Sequence, residues 1–490
     1  MKKHLLLSGT ILLLSPLLYS FCGFYVSKAD GTIKNNTSQV ILVRDGNRNV
    51  ITMYNDFQGA TKDFAMVVPV PVVLKKKDIR VIDPSLFQRL NDYSAPRLVE
   101  YYDENPCNDY SLMDREMKSA PAPNRMASGI SSTAKKNLGV VVEASYQVGE
   151  YDILILSANE SSGLREWLTM NGYKIPAGAE TVLVPYIKSN LKFFVVKVNE
   201  KEKKKLPGNF LRPLQISFNS PRFMLPIRLG MANATGDQDM IVYAFTRKGR
   251  IECTNYRNVE IATGNKVPLF VKKNFGAFYS HLFKHQWEKE NKRIGFVEYA
   301  WDVSPANFQK CDPCVGNPPD QKDLLEAGVW WLQRDWEDYT SVDNIDNYKI
   351  SNNVFFTRLH FRYNRENFPQ DLMFQLTPNT TNFQARYIIT HLATGDLSCT
   401  TGNNYLSTLY KRRKQELKEL YKLTGRNLNN WQDETLVSSQ PTGDEMTPYM
   451  ELTNLSKKEI PGAGQPFIGM MVFGVTVLGS VGFLRYKGFV

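Results

Sequence analysis

Residues 39–55 read QVILVRDGNRNVITMYN, two β-rich runs joined across Asp45, Gly46 and Asn47. Asp-Gly supplies the positive backbone angles that a tight hairpin turn demands, and the Val and Ile on either side favour a pleated, half-buried surface. The first structured part of the chain therefore reads as a β-hairpin, and the fold has to grow from it.

Outward from the hairpin the same rhythm continues. A third strand is expected at 64–68, where Pro69 and Pro71 put it at a sheet edge or end it. Further strands are expected at 139–146, 151–156, 181–187, 191–198, 214–218, 223–229, 240–246, 294–303, 354–363 and 383–392. Turn residues such as Asn219, Ser220 and Pro221 separate them, which is a β-sheet rhythm and not a βαβ alternation. Helices are fewer. Asp83 with Pro84, and Ser94 with Pro96, mark two short ones that carry Leu86, Leu90, Leu98 and Tyr102 inward. Another opens at Ser161 or Ser162, buries Leu164, Trp167 and Leu168, and stops at Asn171 and Gly172. Residues 274–291 form an amphipathic pattern with Phe275, Phe278, Leu282 and Phe283 on one face. A last helix at 404–423 places Leu406, Leu409, Tyr410, Leu417, Leu420 and Tyr421 at helical spacing, either covering the sheet or forming a stalk. The expected fold is α+β, an antiparallel-sheet-rich ectodomain with several short helices, plus one C-terminal transmembrane helix.

That transmembrane helix is read from the apolar run 468–484, which opens at Ile468, closes at Leu484 and is followed by Arg485 and Lys487. About nineteen uncharged residues span roughly 28 Å as a helix, the thickness of a bilayer's hydrocarbon core. At the other end Lys2 and Lys3 precede an apolar stretch from Leu5 to Leu18, the order of a signal peptide at 1–20, with a retained signal anchor as the alternative. Basic residues at both ends favour the cytoplasmic side, which leaves the intervening chain outside. The organisation that follows is an extracytoplasmic α+β ectodomain at 21–400 with a lobe break near 200–212, and an amphipathic helix at 401–432. A flexible tether at 433–465, a span at 466–484 and a cytoplasmic tail at 485–490 complete it. Residues 115–137 lack apolar periodicity and read as a mobile loop. An alternative treats Pro461, the span and Arg485 as a sorting signal that is cleaved while the ectodomain is transferred to the surface.

The chain has 490 residues and carries 60 basic against 49 acidic residues, a net charge of +11. Clusters lie at Lys75, Lys76 and Lys77, at Lys203, Lys204 and Lys205, and at Lys411, Arg412, Arg413 and Lys414. For an exported chain nucleic acid is excluded as a partner. The lipid bilayer, anionic envelope polymers or another envelope protein fit the charge, and a plain solvated lysine surface is the alternative. No nucleophile elbow, phosphate loop or dinucleotide fingerprint is present, and no cofactor is called for.

Six cysteines remain after cleavage at 20: Cys22, Cys107, Cys253, Cys311, Cys314 and Cys399. An even number in an oxidising compartment favours disulfides. Cys311-Asp312-Pro313-Cys314 has the spacing of thioredoxin-like redox sites, but Pro318 and Pro319 forbid a helix running on from the second thiol, and Asp312 opposes thiolate formation. A structural disulfide, a redox pair and a metal site stay open for these two. Phe21 before Cys22 is too bulky for a lipidation site. His281, His285 and Glu288, at i, i+4 and i+7, share one helix face and form a candidate zinc site or a solvated stripe. Trp330, Trp331 and Trp336 follow Asp320, a helix cap, and read as core.

Several stretches taken together resemble a bacterial family of uncharacterised exported proteins, domain of unknown function 2330. They are CGFYVSKAD from Cys22, QVILVRDGN, AMVVPVPVVL, DYSAPRLVEYYDENPC, FMLPIRLGM, GRIECTNYR and KCDPC, between about residues 22 and 400. The resemblance implies export and brings no established activity. Cys253 stands in GRIECTNYR where threonine is expected, which leaves its pairing open. The functional reading is a membrane-tethered, disulfide-stabilised binding or envelope-structural protein, more a module than an enzyme. An extracytoplasmic thiol-disulfide oxidoreductase using Cys311 and Cys314 is the alternative.

Overall fold

A computed structural model describes residues 37–54, 65–108, 140–171, 179–206, 211–231, 236–305, 316–333 and 352–427. The signal peptide at 1–20, Cys22, the loop at 115–137, the Cys311 and Cys314 pair, Trp336, the tether, and the span from Ile468 to Leu484 with Arg485 and Lys487 lie outside the described residues. Among the described residues no helix is long and apolar enough to cross a membrane.

The hairpin forms as read. Strand β1 (Thr37–Asp45) turns through Gly46, at φ +56°, and Asn47 into β2 (Arg48–Tyr54), with Asp45 opposite Arg48. Next come β3 (Ala65–Val70), β4 (Ile79–Val81), α1 (Ser85–Ser94) and β5 (Arg97–Tyr102). The carboxylate of Asp83 accepts from the Ser85 amide at 2.8 Å, so the helix start at Pro84 is capped from the residue before it. The middle of the chain supplies β6 (Val140–Val148), β7 (Tyr151–Ala158), α2 (Ser161–Met170), α3 (Ala179–Lys188), β8 (Lys192–Val198) and the short α4 (Glu200–Lys203). Then follow β9 (Leu214–Asn219), β10 (Met224–Leu225), α5 (Arg228–Met231), β11 (Gln238–Thr246), β12 (Ile251–Cys253), β13 (Arg257–Glu260) and β14 (Asn265–Lys266). The last third holds α6 (Phe275–Lys289), β15 (Ile294–Asp302), α7 (Gln321–Ala327), β16 (Phe355–Tyr363), β17 (Leu372–Leu376), β18 (Phe383–Gln384), β19 (Arg386–His391) and α8 (Thr400–Thr424).

A nine-stranded sheet in the order β13-β15-β16-β11-β1-β2-β9-β4, with β18 beside β15, forms the centre. A four-stranded sheet, β3-β8-β7-β6, packs on one of its faces. Strand alternation explains the layering. Val40 and Leu42 of β1 with Met240 and Val242 of β11 meet Ile153, Ile155, Phe194 and Val196 of the smaller sheet. Ile41, Val43, Ile241 and Tyr243 point the other way, onto Leu86, Phe87 and Leu90 of α1 and Leu324 of α7. The outer face of the small sheet, through Leu156, Phe193 and Val195, is covered by α2 and α3. The body is thus four layers, helices on sheet on sheet on helices. Two small three-stranded sheets, β10-β17-β12 and β14-β19-β5, close its flank.

The α+β class with a sheet-rich body stands, and β3 lies at a sheet edge as its prolines require. Pairing is mostly antiparallel, but β1 runs parallel to β11, and β13–β15, β14–β19 and β19–β5 are parallel too. Three elements differ from the sequence reading. Residues 181–187 are helical, inside α3, because Val182, Leu183 and Tyr186 fall on one helix face that packs with Leu164, Trp167 and Leu168 of α2. Tertiary burial there overrides the β-branched composition and tolerates Pro185 inside the helix. The helix expected after Ser94 is strand β5, with Tyr102 left 68% exposed instead of buried. The strand expected at 223–229 shrinks to β10 followed by the short helix α5.

Candidate functional site

The helix-covered face of the central sheet carries a column of charge. Arg358, His360 and Arg362 alternate along β16 and so share a face with Asp239 and Tyr243 of β11, which stand opposite Arg362 and Arg358. Glu298 of β15, fully buried, is the centre. Arg358 donates to it through Nε at 2.6 Å, and His360 Nδ1 stands 2.7 Å from its Oε1. Tyr279 of α6 donates its hydroxyl to the same carboxylate. Arg358 also reaches Asn91 at 2.9 Å and Ser94 at 3.3 Å on α1. On its other side His360 Nε2 lies 3.5 Å from Asp239, which takes a two-pronged bond from Arg362 at 2.8 and 2.7 Å.

Burial by itself would raise the Glu298 carboxyl, but His360 and Arg358 outweigh it and hold it down to about 2. Asp239 is likewise brought to about 2, against burial, by His360 and Arg362. His360 moves upward, since the two carboxylates outweigh the burial that would lower it. With Glu298 beside one ring nitrogen and Asp239 beside the other, the buried His360 is engaged from both sides. The column is thus built as an internal brace. It surfaces in a polar pocket of about 480 Å³ bounded by Asp237, Lys284, Glu288 and Lys292 together with Asp239 and Arg362.

The opposite face meets the small sheet and leaves free space. An apolar cleft of about 70 Å³ lies among Val40, Ile51, Met53, Ile216 and Met240 of the large sheet and Val68 and Val70 of β3. Through Leu191, Arg222 and Met224, which line both, it continues into a mouth of about 240 Å³. The mouth is polar and braced. Asp371 accepts from the Tyr186 hydroxyl at 2.7 Å and from the Ile227 and Arg228 amides at 3.0 and 3.2 Å. Burial lifts the Asp371 carboxyl, and those hydrogen bonds offset this only in part. Arg228 lies 6.0 Å over the Tyr186 ring. Asn255 bonds Gln370 at 3.3 Å and the Asp371 carbonyl at 2.8 Å. Arg222 is exposed, and among the described residues no hydrogen bond or ion pair engages its guanidinium. An anchored carboxyl, a stacked arginine and an unpaired arginine thus surround the entrance to an apolar slot.

Of the cysteines, Cys107 and Cys399 form a disulfide, 292 positions apart in sequence, that ties the end of β5 to the start of α8. Cys253 is unbridged in this structure. It is a buried free thiol on β12 whose Sγ donates to Asn255 at 3.2 Å, so it supports the mouth from behind. The candidate zinc residues His281, His285 and Glu288 lie along α6. Among the described residues no group of three or more such ligands is poised for a metal. His281 stands 2.9 Å from the Arg426 guanidinium, and His285 lies against Gly425, so both serve the contact between α6 and the end of α8. Burial and Lys289 lower the His285 imidazole. Asp320 caps α7 through a capping box, and Trp331 is buried behind it.

Neither the charged column nor the cleft was visible as a site in the sequence. Residues 355–363 (FFTRLHFRY) alternate apolar and polar, which reads as a strand with one wet face. Three charged residues at alternate positions were the only available signal, and their burial comes from α1 and α6.

Fold and site together define a four-layer α+β sandwich protein with a ligand-sized cleft between its sheets. The chain matches, over residues 16–375, the family described as "Uncharacterized protein conserved in bacteria (DUF2330)", well over half of its length, and it belongs to that family. No curated protein and no solved structure matches it.

Proposed function

We propose that this protein is an exported, membrane-tethered binding module of the cell envelope, and that its ligand is a small anionic molecule with a short apolar tail. The single observation that carries the reading is the apolar cleft opening through Met224 onto a mouth with an unpaired Arg222. The sizes suit such a division. A slot of about 70 Å³ takes a few methylene groups, while the mouth of about 240 Å³ takes the polar body. Export is supported by the Cys107–Cys399 bridge, since such a bond persists in oxidising compartments. The proposed membrane anchor is the apolar run at 466–484.

Hexanoate and hexanol serve as probes. Hexanoate raises the melting temperature in a saturable way, and hexanol does so less. Arg222→Ala lowers hexanoate affinity about tenfold, the loss of one charge-assisted contact, and leaves hexanol unchanged. Equal binding of both probes to both proteins would remove Arg222 from the site. No binding of either would retire the cleft.

A further inference from the structure

The longest described helix, α8, is covered on one side only. Arg413, Glu416, Leu420 and Leu423 face the body, and Arg413 pairs with Glu416 at 2.8 Å while donating to the Thr390 carbonyl. Turning away from the body in steps of about 100° per residue, the helix first presents Leu406, Tyr410, Leu417 and Tyr421 along one shoulder. It then presents Lys411, Lys414, Lys418 and Lys422 along its crest. Leu406 is 46% exposed, Tyr410 36% and Tyr421 58%, and all four lysines are exposed. Of the two acidic residues of the helix, Glu419 touches this face only at its end, 3.8 Å from the exposed Lys422, and leaves Lys411, Lys414 and Lys418 without an acidic partner on the helix. Glu416 is buried with Arg413, and Glu419 accepts from Asn265 at 3.1 Å and Gln415 at 3.0 Å.

We propose that this face of α8 rests on the surface of an anionic lipid bilayer. The lysines meet the headgroup phosphates, and Leu406, Tyr410 and Tyr421 enter the interfacial layer. A ridge of lysine beside a ridge of leucine and tyrosine is the pattern of a helix lying in the membrane interface. The apolar shoulder selects lipid over a dissolved polyanion, which would engage the lysines and leave three large side chains in water. Chain length agrees. The described residues end at Asn427, and the apolar run opens at Ile468, forty positions being left between them (468 − 427 − 1). A random coil of forty residues would span roughly 30–40 Å, so a membrane-inserted run would leave α8 within reach of the same bilayer. The proposal stands apart from the cleft and does not depend on its ligand.

The test uses the full chain in nanodiscs of phosphatidylglycerol and phosphatidylcholine in equal parts, against discs of phosphatidylcholine alone, both with brominated acyl chains. A Tyr410→Trp variant adds a reporter on the shoulder. The expected result is bromine quenching of the added fluorescence in the anionic discs, lost in the zwitterionic discs. Lys411→Glu, Lys414→Glu, Lys418→Glu and Lys422→Glu together abolish it without moving the melting temperature. Leu406→Ser with Tyr421→Ser weakens it as a second, milder variant. Absent quenching in anionic discs, or equal quenching in both, overturns the proposal. So does binding of soluble polyphosphate that leaves the reporter unquenched in the anionic discs, because that assigns the face to a polymer.

Discussion

The two faces of the central sheet solve opposite problems. On the face under α1 and α6, charged groups from β11, β15 and β16 are packed side by side, and each carboxylate is matched by two or three cations or donors. On the face under the four-stranded sheet, β1, β2, β9 and β11 present Val40, Ile51, Ile216 and Met240, and space remains. The charged face tolerates little change, since removing Arg358 or Arg362 leaves a buried carboxylate with fewer partners than its desolvation requires. The apolar face leaves a cleft whose lining holds few polar groups that an entering apolar chain would have to desolvate. A binding cleft on one side of a sheet is easier to keep open when the other side is locked.

The sharpest way to break that contrast is to unlock the charged face. Arg358→Met leaves Glu298 facing only His360 and Tyr279, and removal of one partner from a buried pair costs about 3–5 kcal/mol. Urea unfolding measures it as a lowered midpoint. A loss near that of an ordinary surface substitution would mean that Glu298 simply takes up a proton and the column braces nothing. A cleft variant such as Ile216→Val, with one methylene removed, costs about 1 kcal/mol, which is the asymmetry the comparison asserts.

Acid sharpens the same point with a smaller effect. Asp239 and Glu298 sit at about 2 in the folded protein, below the ordinary carboxyl range near 4. A depressed carboxyl contributes fully above its unfolded value and loses that contribution as the pH falls through its folded one. The stability held by each, roughly 3 kcal/mol, therefore disappears between about pH 4 and pH 2. His360 has the opposite sign: its raised value contributes fully below about 6.5 and fades as pH rises through the folded value. Melting temperature followed from neutral to acid pH should drop steeply below about pH 4. In Asp239→Asn with Glu298→Gln the drop should be shallower from a lower starting point, and an unchanged slope would place the acid sensitivity elsewhere.

How far the fold was legible follows the same division. The hairpin at Gly46, the edge strand before Pro69, the amphipathic α6 and the helix ending at Gly425 are set by local turn chemistry and periodicity, and all could be read. The parallel pairing of β1 with β11 could not, because it joins residues about two hundred positions apart through no local signal. The helix α3 was read as a strand because Val182 and Val184 carry β propensity, while its packing on α2 is a tertiary fact. The column escaped notice because alternation marks a polar face without saying whether water or helices cover it. The cleft depends on Arg222 and Met224 meeting Asp371, which is close in space but about a hundred and fifty positions further along the chain.

The smallest expected effect on stability gives the cleanest test of the apolar face. Met224 is half-buried and lines both the slot and the mouth. An indole in its place occupies the junction between them, and since the site already has free volume, filling it should change stability by no more than about 1 kcal/mol, below the usual penalty for overpacking a filled core. Binding should respond far more strongly than folding. Met224→Trp is expected to abolish the hexanoate-dependent rise in melting temperature while leaving the urea midpoint of the free protein almost unmoved. The separation matters because the charged face predicts the reverse: Arg358→Met lowers stability severely but should spare hexanoate affinity once unfolding is accounted for. If Met224→Trp instead destabilises the protein by several kcal/mol, the space is a tightly fitted seam between two sheets, and the two faces differ in chemistry without differing in role.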